Sequence, residues 1–163
     1  MKKNIFRHKK ILITGATGFI GANLTRHFIK EGADVYVFTR KKSDKWLIKD
    51  ILGKVKEFNV DLTNKNSLVK VVKKIDPEII LHTAVYGNFP DQADSKRIID
   101  VNFQGTMNLI DSCKDLDFEL FINSGSSSEY GIKTKAITEA DLLEPITAYG
   151  ASKAAVSIYA QEI

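Results

Sequence analysis

Tyr149 and Lys153 stand four residues apart in "YGASK", a spacing that puts both on one face of a helix. A lysine ammonium beside a phenol favours the phenolate and lowers its pKa. Such a phenol is a general acid/base for moving a proton on or off an alcohol or a carbonyl. Taken alone, a Tyr-x-x-x-Lys pair is frequent by chance, as a packing tyrosine and a solvated lysine. Its position adds weight, because it follows "SGSSSEYG", a hydroxyl cluster from which a serine can hydrogen-bond the same substrate oxygen. A second chemical feature lies in "ILITGATGFIGANL", residues 11–24, where Gly15, Gly18 and Gly21 recur directly behind an apolar run. Glycines between a strand and a helix let the backbone approach a phosphate. The helix N-terminus adds unpaired N–H groups and a partial positive charge. An ordinary tight turn is the simpler alternative for the triplet alone. With a dinucleotide on that turn, the reaction class is hydride transfer.

The elements that must bring these groups together alternate along the chain. "KKILITG" reads as a strand and Phe19 to Lys30 as a helix with apolar Ile20, Leu24 and Phe28. "DVYVFT" is a second strand, "SDKWLIKDIL" a short helix and "VKEFNVD" a third strand. "NSLVKVVKKI" repeats the helical spacing, and "PEIILHTA" is a fourth strand. A long helix from about Ser95 to Lys114 carries Ile99, Phe103, Met107 and Ile110 on one face; "FELFINSG" is a fifth strand, and a last helix begins near Thr147. Strands separated by helices imply right-handed crossovers and a parallel sheet covered on both faces, an α/β, doubly wound fold. In such a sheet ligands bind beyond the carboxyl ends of the strands. Thr14–Gly18, Thr39–Lys42, Asp61, His82–Tyr86 and Ser124–Ser128 are therefore expected to converge on one crevice.

The 163 residues, 44% hydrophobic, suit one domain over 1–163. The net charge of +4 is concentrated in "MKKNIFRHKK" and "TRKKSDK". These segments lack interleaved aromatics and read as solvated, so nucleic acid is not an expected partner. No apolar run suits a secretory signal or a membrane span, and a cytoplasmic location is expected. Cys113 is the only cysteine, which rules out an intrachain disulfide; it reads as core, and no metal is expected.

The ordered motifs resemble the extended short-chain dehydrogenase/reductase family, in particular its nucleotide-sugar epimerases, dehydratases and reductases. "TGATGFIG" is similar to that family's cofactor loop, which implies cofactor contacts from Thr14, Gly15, Thr17, Gly18, Phe19, Ile20 and Gly21. "VDLTN" resembles the Asp-Leu pair that meets adenine, here Asp61 and Leu62. "LHTAV" and "VNFQGTMNLI" resemble segments beside the cofactor and imply Thr83, Ala84 and Asn102 there. "SGSSSEYG", "TEADLLEP" and "YGASK" resemble the catalytic half, with Ser126, Tyr149 and Lys153 as the catalytic set. Tyr149 is then the acid/base, and Lys153 also binds the cofactor ribose. The resemblance implies a Rossmann fold with NAD or NADP, a nucleotide-sugar substrate and a homodimer. It also implies that relatives continue for about as many residues again, with a substrate domain that this chain does not include.

The chain departs from the family at two positions that bear on chemistry. Where NAD-preferring relatives carry an acid after the second strand, Thr39 is followed by Arg40, Lys41, Lys42 and Ser43. With no carboxylate there, Arg40 can embrace a 2′-phosphate bidentately, and NADP is the preferred expectation over NAD. Where 4,6-dehydratases carry acids after the catalytic hydroxyl, Ser127 and Ser128 stand instead, and Glu129 is expected to point to the opposite face. An epimerase or a 4-ketosugar reductase is expected. A 4,6-dehydratase and a non-catalytic NADP(H)-binding module are the alternatives.

Overall fold

Alternation within the apolar runs decides which side of the sheet each residue feeds. In β1 (Lys10–Thr14), Ile11 and Ile13 point to one face and Leu12 to the other. The computed structural model describes residues 4–87 and 93–162. It adds β2 (Asp34–Thr39), β3 (Lys56–Asn59), β4 (Ile79–His82) and β5 (Leu120–Asn123). All neighbours pair in parallel, in the order β3-β2-β1-β4-β5, the doubly wound arrangement anticipated from the sequence. On one face, Ile11, Ile13, Val35 and Val37 pack with Phe28 of α1 (Phe19–Lys30). On the other, Leu12, Phe38 and Ile80 meet Leu68 and Val72 of α2 (Lys65–Ile75) and Leu109 and Cys113 further along. Burying each of these large side chains stabilises the fold by about 1.5–3 kcal/mol. Cys113 is buried and its thiol is pushed up to about 11 by that burial, so it packs and does not react.

Two stretches differ from the sequence expectation. Residues 44–54 form no α-helix but two 3₁₀ turns, Trp46–Ile48 and Leu52–Lys54. Ile48 and Ile51 are drawn into a small cluster with Ala22 of α1, and Gly53 favours a break in the helix there. The long helix is real but interrupted: α3 (Ser95–Ile98) passes through π-helical Ile99–Gln104 into α4 (Gly105–Cys113). A π turn holds an extra residue and rotates what precedes it. Ile98 is therefore the buried residue while Ile99 is 38% exposed, and Asn102 turns inward. The last helix, α5 (Ala148–Tyr159), opens at Thr147, whose hydroxyl accepts the Gly150 N–H at 2.9 Å.

Candidate active site

The carboxyl ends of the strands open on a crevice of about 390 Å³. Thr14, Gly15, Thr17 and Gly18 line it from the turn after β1, and Phe19, Ile20 and Gly21 from the first turn of α1. Thr39 and Arg40 contribute from the end of β2, Asp61 and Leu62 from the end of β3, and Thr83 and Ala84 from the end of β4. Four of the five expected clusters thus meet at this crevice, while Ser124–Ser128, after β5, does not line it.

The three glycines serve different purposes, and together they fit a pyrophosphate. Gly15 has φ +70°, and a Cβ there would lie 2.6 Å from the Ala84 nitrogen, so its lack of a side chain is needed for the turn itself. A Cβ on Gly21 would strike the Gly15 carbonyl, so that glycine lets α1 pack onto the turn. At Gly18 a Cβ would meet only the Gly15 oxygen, at 3.4 Å, and its bare side borders the crevice. Gly18 is also the N-cap of α1 and supplies no side-chain cap, an arrangement that suits an anion at the helix N-terminus.

Around the far end of the crevice the charges are arranged in pairs. Burial pushes the Asp61 carboxyl up, but the Thr63 amide and hydroxyl, with Arg40 and Arg97 nearby, hold it below its ordinary value. The expectation that no carboxylate stands near the end of β2 needs correction. Glu57 reaches across from β3 and accepts the Thr39 hydroxyl at 2.5 Å. Lys45 pairs with the same oxygen, and Glu57 does not line the crevice. Its charge is therefore compensated behind the sheet edge.

The catalytic candidates lie outside the crevice lining, on the turn after β5 and on α5. Gly150 brings them together: a Cβ there would collide with the Ser128 carbonyl, so only glycine lets the 3₁₀ turn Ser127–Tyr130 rest on the start of α5. Lys153 is 5% exposed and donates to the Ser124 carbonyl at the end of β5. Burial pulls its ammonium below the ordinary 10.5, with Glu129 acting in the opposite sense. Ser126 is the N-cap of the 3₁₀ turn, its hydroxyl accepting the Ser128 N–H at 3.2 Å. Tyr149 is half-buried on the same face of α5 as Lys153.

Glu129 and Asn102 differ from expectation. The segment around Glu129 is helical rather than strand-like, so this residue turns inward and is 4% exposed. A Ser-x-x-Glu spacing, the signature of a capping box, is present at 126–129 and was the available signal. Asn102 does not face the crevice. Its Oδ1 accepts the Tyr86 N–H at 2.8 Å, and its Nδ2 donates to the Tyr86 carbonyl and to Ser152 Oγ. It braces the loop after β4 against α5, one residue from Lys153.

His82, expected at the crevice with the residues that follow it, is instead 2% exposed and outside the lining, and it extends this bracing. Its Nδ1 lies 2.6 Å from Thr14 Oγ1 and its Nε2 lies 2.8 Å from Thr106 Oγ1. Thr106 donates its proton to the Asn102 carbonyl, so Nε2 carries the imidazole proton and Nδ1 accepts from Thr14. Ser152 in turn donates to the Tyr149 carbonyl at 2.7 Å. Hydrogen bonds and one residue's own backbone thus connect the glycine turn to the helix of Tyr149.

Comparison with known proteins shows the family and the fold. The chain is 33% identical over 156 residues to Protein CapI of Staphylococcus aureus, covering 88% of this chain and 46% of that one. It is 29% identical over 146 residues to a UDP-glucose 4-epimerase of Lactobacillus helveticus, covering 88% of this chain and 44% of that one. Among solved structures, the UDP-Glc/GlcNAc 4-epimerase of Campylobacter jejuni superposes with a TM-score of 0.86 at 27% identity, covering 94% of this chain and 48% of that one. The chain thus spans about half the length of the curated relatives it matches. The profile of the NAD dependent epimerase/dehydratase family matches residues 11–163, and the chain belongs to that family.

Proposed function

We propose that the protein is a nucleotide-sugar epimerase or 4-ketosugar reductase that works by hydride transfer. The observation that supports this reading is that α5, with Tyr149 and Lys153 on one face, rests through Gly150 on the turn that Ser126 caps, while the crevice is floored by glycines and an uncapped helix N-terminus. In this reading, backbone N–H groups at the start of α1 hold the pyrophosphate, Asp61 and Leu62 hold the adenine, and Lys153 holds the ribose next to the nicotinamide. Bound NAD(P) supplies the hydride acceptor or donor. The Tyr149 hydroxyl takes or returns the proton of the sugar oxygen, and the Ser126 hydroxyl hydrogen-bonds that same oxygen. Arg40, on the crevice wall, supports a preference for NADP.

A 4,6-dehydratase is the second reading, since the family includes that activity. Eliminating water calls for an acid and a base beyond the tyrosine. Ser127 and Ser128 supply neither, and both oxygens of Glu129 are already engaged. A non-catalytic module would have no need of the Ser126, Tyr149 and Lys153 set.

The test is to incubate the full-length protein with UDP-, GDP-, CDP- and dTDP-sugars and either dinucleotide, with products identified by NMR. An epimer or a reduced sugar supports the proposal, and a 4-keto-6-deoxy sugar supports the dehydratase. Tyr149→Phe keeps the ring and removes the hydroxyl. Turnover should fall by about 10²–10⁴-fold while cofactor affinity barely moves. Near-normal turnover in that variant would overturn the assignment.

A further inference from the structure

We propose that Glu129 is a positioning residue of this site: its buried carboxylate fastens the turn that bears Ser126 to α5, and so sets the Ser126 hydroxyl relative to Tyr149 and Lys153. This inference rests on the reading of Ser126 as the group that meets the substrate oxygen. A glutamate is seldom buried unless every oxygen has a partner. Glu129 meets that condition with partners on two separate elements. Its Oε1 accepts the Ser126 N–H at 2.7 Å, and its Oε2 accepts the Ser157 hydroxyl at 2.6 Å.

Ser157 follows Lys153 by four residues, as Lys153 follows Tyr149, so the three form one stripe along α5. The stripe grips residues 124–126 at both ends. Lys153 holds the Ser124 carbonyl directly, and Ser157 holds the Ser126 N–H through Glu129. Gly125 between them leaves the room required, since a Cβ there would come within 3.3 Å of Glu129 Oε1. The Ser126 hydroxyl oxygen accepts inside its own turn from Ser128, which leaves its proton to be donated outward. A carboxylate in this place is costly compared with an apolar side chain of similar size. What it adds is direction: two charge-assisted bonds fix one position for the turn.

A residue that only stabilised the fold would cost the same whether or not Ser126 keeps its hydroxyl. A positioning residue loses its effect when that hydroxyl is gone. The experiment compares E129L, E129Q, S126A and the E129L/S126A pair in the full-length protein, first with UDP-glucose and NAD and then with whichever nucleotide sugar is turned over. E129L should lower kcat by up to about a hundredfold with KM and cofactor affinity little changed. E129Q, whose amide can accept from Ser126 and donate to Ser157, should recover most of the loss. Adding E129L to S126A should cost little more. An equal loss in both backgrounds, or a loss of thermal stability with kcat intact, overturns the proposal.

A second readout needs no substrate: the Ser126 amide proton should exchange slowly in the wild type and in E129Q and quickly in E129L. Rapid exchange in the wild type also overturns the proposal. The two readings fail separately. Normal turnover in Tyr149→Phe would remove the catalytic assignment and leave the amide result standing. Loss of turnover in Tyr149→Phe with no effect of E129L on kcat would remove only the role of Glu129.

Discussion

Arg40 is the residue on which cofactor choice is expected to turn. Its N–H donates to the Ser43 hydroxyl at 2.9 Å, which fixes the turn that carries it along the crevice wall. Its charge is felt at Asp61, which lines the same crevice. Glu57, outside the crevice lining, is held below its ordinary pKa by Lys45 and Thr39, so it remains a compensated anion. A guanidinium in this place makes charge-assisted bonds to a 2′-phosphate that a 2′-hydroxyl cannot match. Arg40→Ala is therefore expected to weaken NADP(H) binding by about 1.5–3 kcal/mol, with a much smaller effect on NAD(H), as read by calorimetry with each dinucleotide. Equal losses would show instead that Arg40 stacks over the adenine and does not discriminate.

Between elements, His82 of β4 ties Thr14 of β1 to Thr106 of α4, which in turn donates to the Asn102 carbonyl of the π-helical segment. Burial first, and the Lys153 charge second, lower its pKa from the ordinary 6.5 to about 3. Between those values the unfolded chain binds a proton at this residue and the folded chain does not. Folding stability from this source is fully present above the unfolded value and is lost as pH falls toward the folded one. The wild type should lose up to about 1.4 kcal/mol per pH unit from His82 in the middle of that window. His82→Gln, which cannot titrate, should show a shallower slope in urea midpoints measured from pH 6 to pH 4, and identical slopes would remove His82 as the cause. These contacts also show which features were legible in the sequence. The strands, α1 and α2 were readable because one apolar period governs each. The π-helical segment was not, because Ile98 and Ile99 are both apolar and only the inserted residue decides which is buried. Nor were the partners of His82, since Thr14, Thr106 and Asn102 meet it only after the sheet and helices have packed. The crevice residues were readable because they follow strand ends. Asn102, expected beside the cofactor from the resemblance of its segment, has its side chain engaged by Tyr86 and Ser152, partners that only packing brings to it.

At the scale of the whole molecule, the two edges of the sheet are built differently. The β3 edge carries Lys56 and Glu57, and both are paired, with Asp34 and Lys45 respectively. Charged side chains of this kind discourage another strand from adding to an edge. The β5 edge is apolar: Leu120 is 46% and Ile122 48% exposed, and Ile158 of α5 lies open as well. A cavity of about 420 Å³ lined by Ile110, Cys113, Phe118 and Phe121 opens beside it, and the buried Asn123 Oδ1 has no partner among the described residues. Unpaired backbone groups next to exposed aliphatic side chains are a template for pairing with a further strand. The 163-residue chain, expressed by itself, is therefore expected to self-associate through this edge, with a sedimentation coefficient that rises with concentration. Ile122→Lys places a charge on that edge and should hold the chain monomeric, whereas the same change at Trp46, exposed on the connection between β2 and β3, should not. Self-association that persists in Ile122→Lys would move the contact elsewhere. A wild-type chain that stays monomeric at the highest attainable concentration would show that the β5 edge, apolar as it is, does not recruit a partner strand.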